Sequence, residues 1–158
     1  MRIIVGVSDM KLSNIDGDIL VTHALGSCIG IAIYDKIAKV GGMLHYMLPL
    51  SKIDKEKAIK NPFMFGDTGI PELFTSAYKL GAQKDKIRVI MSGGAQVIEK
   101  KDFFSIGKRN ITIARKVFWK NNVLIAAEHV GGNIPRTMYL EIGTGTIWIT
   151  SHGEKVIL

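Results

Sequence analysis

The chain is 158 residues long, 47% hydrophobic and 22% charged. These are the proportions of an ordinary globular protein, expected to form one domain over residues 1–158 with enough apolar content to bury a core unaided. Its single cysteine excludes an intrachain disulfide framework, and no apolar run approaches the ~20 residues needed to span a bilayer. The formal charge of +7 would suit an acidic partner. The lysines and arginines are scattered, however, with neither an RNA-binding aromatic signature nor a recognition-helix pattern, so no nucleic-acid binding is expected. The opening MRIIVGVSDMK meets charge too early for a signal peptide, and the lone thiol suits a reducing compartment, so a cytoplasmic location is expected.

In chain order, the β-branched run Arg2–Val7 reads as a buried strand, and Ser8–Gly17 reads as a loop with turn residues Asn14, Asp16 and Gly17. Asp18–Thr22 reads as a short strand that bends sharply through Gly26. Two β-rich runs follow, GIAIY and KVGGML, before Met47-Leu48-Pro49 ends the pairing. Lysine-rich Ser51–Lys60 reads as a solvated loop or short helix. Thr68–Leu80 has helical spacing, with Pro71 in its first turn and Gly81 as terminator. Lys86–Met91 reads as a strand entering Ser92-Gly93-Gly94-Ala95. That turn lacks the lysine of a P-loop and the spacing of a dinucleotide fingerprint, so a structural turn is the reading. Ile106–Lys120 is the second helix, with Ile106, Asn110, Ile113, Ala114, Val117 and Phe118 along one side. Val123–Val130, Thr137–Ile142, Thr146–Thr150 and Lys155–Leu158 read as the strands of a closing meander. The fold class expected is a layered α/β (α+β-like) sandwich, with mixed or antiparallel sheets flanked by two main helices.

The stretch Thr22–His45 draws the chemistry together. If Asp35-Lys36-Ile37-Ala38 is the hairpin loop, Ala32 faces Gly41, Gly30 faces Met43 and Cys28 faces His45. Directly opposed side chains have Cβ atoms about 5 Å apart, within reach for a thiol and an imidazole. Ile29, Ile31, Ile33, Val40 and Leu44 form one apolar face. The other, with Cys28, Gly30, Ala32, Gly41, Met43 and His45, is small enough either to admit a substrate or another chain, or to pack under another element.

A nucleophilic thiol needs a lowered pKa or an adjacent base, and His45 supplies both in this register. The hydroxyl or backbone carbonyl of Thr22 is the candidate to orient the imidazole, and amides of the turn at Gly26 and Ser27 are candidates to stabilise an oxyanion. His23 reads as a turn residue, His129 as a residue that could line a site, and His152 as exposed. No pair has recognisable metal-ligand spacing, and no G-x-S-x-G elbow supports a serine hydrolase.

The segments Thr22-x-x-Leu25-Gly26-Ser27-Cys28 and Gly41-Gly42-x-x-His45-x-Met47-Leu48-Pro49 resemble the chemoreceptor glutamine deamidases called CheD. The resemblance continues through Ser92-Gly93-Gly94-Ala95, Ile106-Gly107-x-x-Asn110, Gly131-Gly132, Arg136 and Thr144-Gly145. It implies hydrolysis of glutamine side chains on methyl-accepting chemotaxis receptors to glutamate, without a cofactor, by a cysteine–histidine–threonine triad falling on Cys28, His45 and Thr22. It also implies a fold similar to the catalytic domain of cytotoxic necrotizing factor toxins, and binding, in some members, of the phosphatase CheC. A regulatory partner of a CheC-type phosphatase and a cysteine amidase for another substrate are the alternative functions.

Overall fold

The structure, a computed structural model, describes residues 1–96 and 105–158. One sheet lays side by side β1 (Arg2–Ile4), β3 (Ile19–Leu25), β8 (Arg136–Glu141), β9 (Ile147–Ser151) and β10 (Glu154–Ile157). The other lays side by side β2 (Asp9–Ser13), β5 (Val40–Tyr46), β4 (Ile29–Asp35), β6 (Ile87–Gly93) and β7 (Ile125–Val130). Two neighbour pairs are parallel, β1 with β3 and β6 with β7, and the rest are antiparallel. The helices are α1 (Lys55–Lys60), α2 (Gly66–Lys79) and α3 (Ile106–Lys120). Among the described residues, no helix is long and apolar enough to cross a membrane.

Two apolar clusters set the order of the layers. Ile29, Ile31, Ile33, Leu44 and Tyr46 of the second sheet pack against Leu73 and Phe74 of α2 and Ala114 and Phe118 of α3. On the sheet's other face, Ala32, Met43 and Ile90 meet Leu20, Leu25, Met138 and Leu140 of the first sheet. The second sheet is therefore the middle layer. Every residue of β4 and β5 is buried, because both faces of this middle sheet are covered. In the outer sheet, β8 alternates buried and half-buried residues, because only one face is covered. This is the layered α+β arrangement expected, with α2 and α3 as its two main helices.

The hairpin differs from expectation by a register of two. Ile29 pairs with Tyr46, Gly30 with His45, Ala32 with Met43 and Asp35 with Val40. Asp35 belongs to β4, and its carboxylate accepts the amides of Ile37, Ala38 and Gln83. The loop is thus moved to residues 36–39, closed by Lys39 in the left-handed region. A shift of two keeps every side chain on its predicted face. The face of small residues is covered by the first sheet: a Cβ on Gly41 would lie 2.5 Å from Ile142.

Other elements also depart from the sequence reading. The supposed loop after β1 holds β2, which pairs with β5 along its length. Its polar DMKLS run suits an edge strand whose outer side needs no apolar partner. Helix α2 starts at Gly66 rather than Thr68, which puts Pro71 inside the helix instead of in its first turn. The strand after α3 is not part of the meander. It returns to pair in parallel with β6, with α3 as the crossover, and only β8, β9 and β10 form a meander. The Ser92–Ala95 turn is structural, as expected: the Gly94 and Ala95 amides donate to the carbonyls of Cys28 and Gly26.

Candidate active site

Thr22 and His45 come from different sheets and meet between them. Thr22 Oγ1 lies 2.7 Å from His45 Nδ1 and donates its proton to the Val5 carbonyl at 2.8 Å. Both side chains are fully buried. A hydroxyl has one proton, so once it is given to Val5 the oxygen can only accept from the ring. Nδ1 therefore carries the imidazole proton and Nε2 holds a bare lone pair. That Nε2 is buried and has no hydrogen-bond partner among the described residues. The threonine hydroxyl, not its carbonyl, orients the ring.

Burial pushes the His45 pKa down to about 4, against a weaker upward pull from Asp9, its neighbour across the β2–β5 ladder. The ring is neutral at physiological pH. When the chain unfolds the imidazole returns to its ordinary 6.5, so between pH 4 and 6.5 the unfolded state binds more protons than the native one. Stability from this residue is thus complete above about pH 6.5 and lost as the pH falls toward 4, by roughly 3 kcal/mol over the interval. Urea unfolding across this range should show that slope, and His45→Gln should flatten it. An unchanged slope in the variant would refute the assignment.

Cys28 sits just before β4 and is half-buried. Because Gly30, not Cys28, faces His45, the cysteine lies diagonally across the ladder from the histidine. Diagonal neighbours are about 7–8 Å apart by Cα, within reach of longer side chains. No hydrogen bond joins the two groups among the described residues. Burial raises the thiol pKa, partly offset by its own backbone N–H. The resting pair is therefore a neutral thiol and a neutral imidazole on one face, not a preformed thiolate–imidazolium pair.

The segment carrying Cys28 is shaped by its backbone. Ala24 adopts φ +58°, a left-handed conformation costly for a residue with a Cβ, and the β3–β8 register shifts between Thr22 and Leu25. This bulge, rather than Gly26, makes the bend, kinking β3 between Thr22 and Leu25 before the chain reaches Cys28. Gly93, at φ +107°, permits close approach from the other side, since a Cβ there would lie 2.2 Å from the Cys28 carbonyl. Of the expected oxyanion donors, Gly26 is already engaged, its N–H donating to Ala24 at 2.9 Å. The Ser27 N–H has no acceptor among the described residues.

Asn110 is the residue that sequence reasoning did not assign to the site. Its Nδ2 donates to the carbonyls of Ser27 at 2.9 Å and Met47 at 2.8 Å, and its backbone carbonyl accepts the Tyr46 hydroxyl. One fully buried amide on α3 thus ties the segment before Cys28 to the segment after His45. The signal was an amide on the apolar side of a helix, where a buried polar group must find partners. Asn110→Ala leaves two carbonyls unpaired and should lower unfolding stability by about 2–3 kcal/mol. Asn110→Asp, which turns an acceptor toward both, should cost at least as much. Denaturant titration measures both, and a change within error would show that the clamp carries no weight.

The remaining histidines lie elsewhere. His23 and His152 are exposed. His129 accepts from Arg136 Nε through Nδ1 at 2.9 Å and lines a cleft at the end of the first sheet. Among the described residues, no group of three or more His, Cys, Asp and Glu could hold a metal ion.

Known proteins share this sequence over nearly its whole length. A family model described as "CheD chemotactic sensory transduction" matches residues 47–151, a span that begins just after His45. A Syntrophus aciditrophicus (strain SB) protein named "Probable chemoreceptor glutamine deamidase CheD 1" is 56% identical over 151 residues, covering 96% of this chain and 94% of its own. The Solibacter usitatus (strain Ellin6076) protein named "Probable chemoreceptor glutamine deamidase CheD" is 46% identical over 154 residues, 98% of this chain and 91% of its own. One of the same name from Pyrococcus abyssi (strain GE5 / Orsay) is 38% identical over 145 residues, 90% and 87%. With that much of the sequence shared, the chain belongs to the CheD family.

Proposed function

We propose that this protein is a cysteine-dependent protein-glutamine deamidase that hydrolyses glutamine side chains of chemotaxis receptors to glutamate. The observation that carries the reading is the chain from the Val5 carbonyl through Thr22 to His45, which leaves a bare Nε2 on the face that Cys28 shares. The relatives' names supply the substrate class.

In this reading the thiol proton passes to His45 Nε2 as the sulfur attacks the amide carbon of glutamine. The imidazolium so formed is held by its Nδ1–H bond to Thr22. The Ser27 and Cys28 backbone amides are the donors for the tetrahedral oxyanion. His45 returns the proton to nitrogen, ammonia leaves, and a thioester remains on Cys28. Water then gives a proton to Nε2 and attacks the thioester, releasing glutamate and the free thiol. Both groups are neutral at rest, so proton transfer must accompany attack. Residues 1–158 act as one domain in this scheme, and a free thiol suits the reducing cytoplasm.

The test is incubation of the purified protein with a receptor fragment. Ammonia release, together with a matching amide-to-acid mass change on particular glutamines, supports the proposal. An unmodified receptor fragment in the presence of folded protein would overturn it. A CheC-type phosphatase partner, if one binds, should bind the Cys28→Ala protein equally well, which separates docking from catalysis.

A further inference from the structure

Arg136 is a buried cation without a counter-ion among the described residues. The residue is only 7% exposed, yet no carboxylate among the described residues forms an ion pair with it. Its Nε donates to the neutral His129 ring and its Nη1 to the Gly93 carbonyl at 3.3 Å. Nη2 has no protein partner among the described residues and lies 3.9 Å from where a Cβ on Gly132 would stand. Burying an unpaired guanidinium is expensive, and a fold retains one where a ligand completes it.

The surroundings provide room for that ligand. Arg136, His129, Gly132, Ser151, His152 and Glu154 line a cleft of about 400 Å³. Glu154 is the one acid among the described residues that line it, exposed and not ion-paired with Arg136. The cleft also adjoins the cysteine segment. Arg136 pairs with Leu25 in the β3–β8 ladder, and the Gly93 carbonyl that it holds belongs to the residue packed on the Cys28 carbonyl. A polypeptide presenting glutamine to Cys28 would carry its neighbouring residues past this cleft.

We infer that Arg136 and the cleft around it form a carboxylate subsite, which selects substrate segments with an acidic side chain near the target glutamine. The planar guanidinium offers its free edge to one carboxylate, a geometry that a point charge does not reproduce. The inference rests on the deamidase reading for the identity of the substrate, but not for the existence of the subsite.

The experiment measures binding of fluorescent peptides to the full chain carrying Cys28→Ala, so that no turnover is needed. Each peptide holds one glutamine and one glutamate, the glutamate being moved through the four positions on either side; a peptide with serine in its place is the reference. One or two positions should bind about tenfold more tightly than the reference. In Arg136→Gln that ratio should fall to about one, and Arg136→Lys should restore only part of it. Equal affinity for all the peptides in the parent protein would overturn the subsite, as would a uniform gain at every position, which is what the net charge alone would give. Should Arg136→Gln fail to fold, the position dependence in the parent and the partial rescue by lysine still decide the matter. Free glutamate competing as well as the peptide would assign the site to a small carboxylate and overturn the segment-selecting role. If the position dependence is found while the Cys28 protein releases no ammonia, the subsite stands and the deamidase reading falls.

Discussion

Cys28→Ala is expected to yield a folded protein that releases no measurable ammonia from a receptor glutamine. The substitution removes one half-buried sulfur from a position packed beside the inter-sheet core, at a stability cost of about 1 kcal/mol or less. In the proposed mechanism it removes the covalent route entirely, so the rate should fall by at least about 10³-fold. Cys28→Ser should be nearly as inactive, because a base with a pKa of about 4 is poorly matched to a hydroxyl far less acidic than a thiol. The resting chemistry adds a second measurement. Since burial raises the Cys28 pKa, alkylation by iodoacetamide should accelerate as the pH climbs past the ordinary thiol range. A plateau already reached at neutral pH would reveal a preformed thiolate and contradict the neutral pair. Full deamidation by Cys28→Ala would end the cysteine mechanism.

The His45–Thr22 pair should give the next largest effect. His45→Ala removes the base and should be as inactive as the cysteine variant. Thr22→Val is more informative, because its shape is almost unchanged while the Nδ1–H loses its acceptor and the Val5 carbonyl its donor. The ring is then free to shift its proton to Nε2, which is useless as a base, and the rate should fall about 10²–10³-fold. Thr22→Ser keeps the hydroxyl and should recover most of that loss. Steady-state kinetics of the three proteins would decide it. A Thr22→Val enzyme with near-normal turnover would show that the ring is oriented by something other than the threonine hydroxyl.

The hairpin shows how far local reading reaches. The faces of β4 and β5 were legible because period-two alternation depends only on parity, so a register error of two left Cys28 and His45 on one side. The register itself was not legible. It depends on where the turn closes, and this turn uses Lys39 at positive φ, where no glycine or asparagine announces it. Edge strand β2 was missed for a related reason: its partner β5 is more than 25 residues away in sequence, and a short polar run carries little signal of its own.

The amino-acid sequence by itself determined the two long helices, the buried character of the central hairpin, and the residue types that give the site its chemistry. These follow from propensity, spacing and side-chain identity, all of them local. Only the tertiary structure decided that β7 returns to pair with β6, that the Thr22 hydroxyl reaches His45 from the opposite sheet, and that Asn110 ties two distant segments together. Likewise, only the closed chain shows Arg136 buried without a carboxylate among the described residues. Hydrogen bonds between layers depend on which elements are stacked, and burial acts on a pKa only once those layers have met.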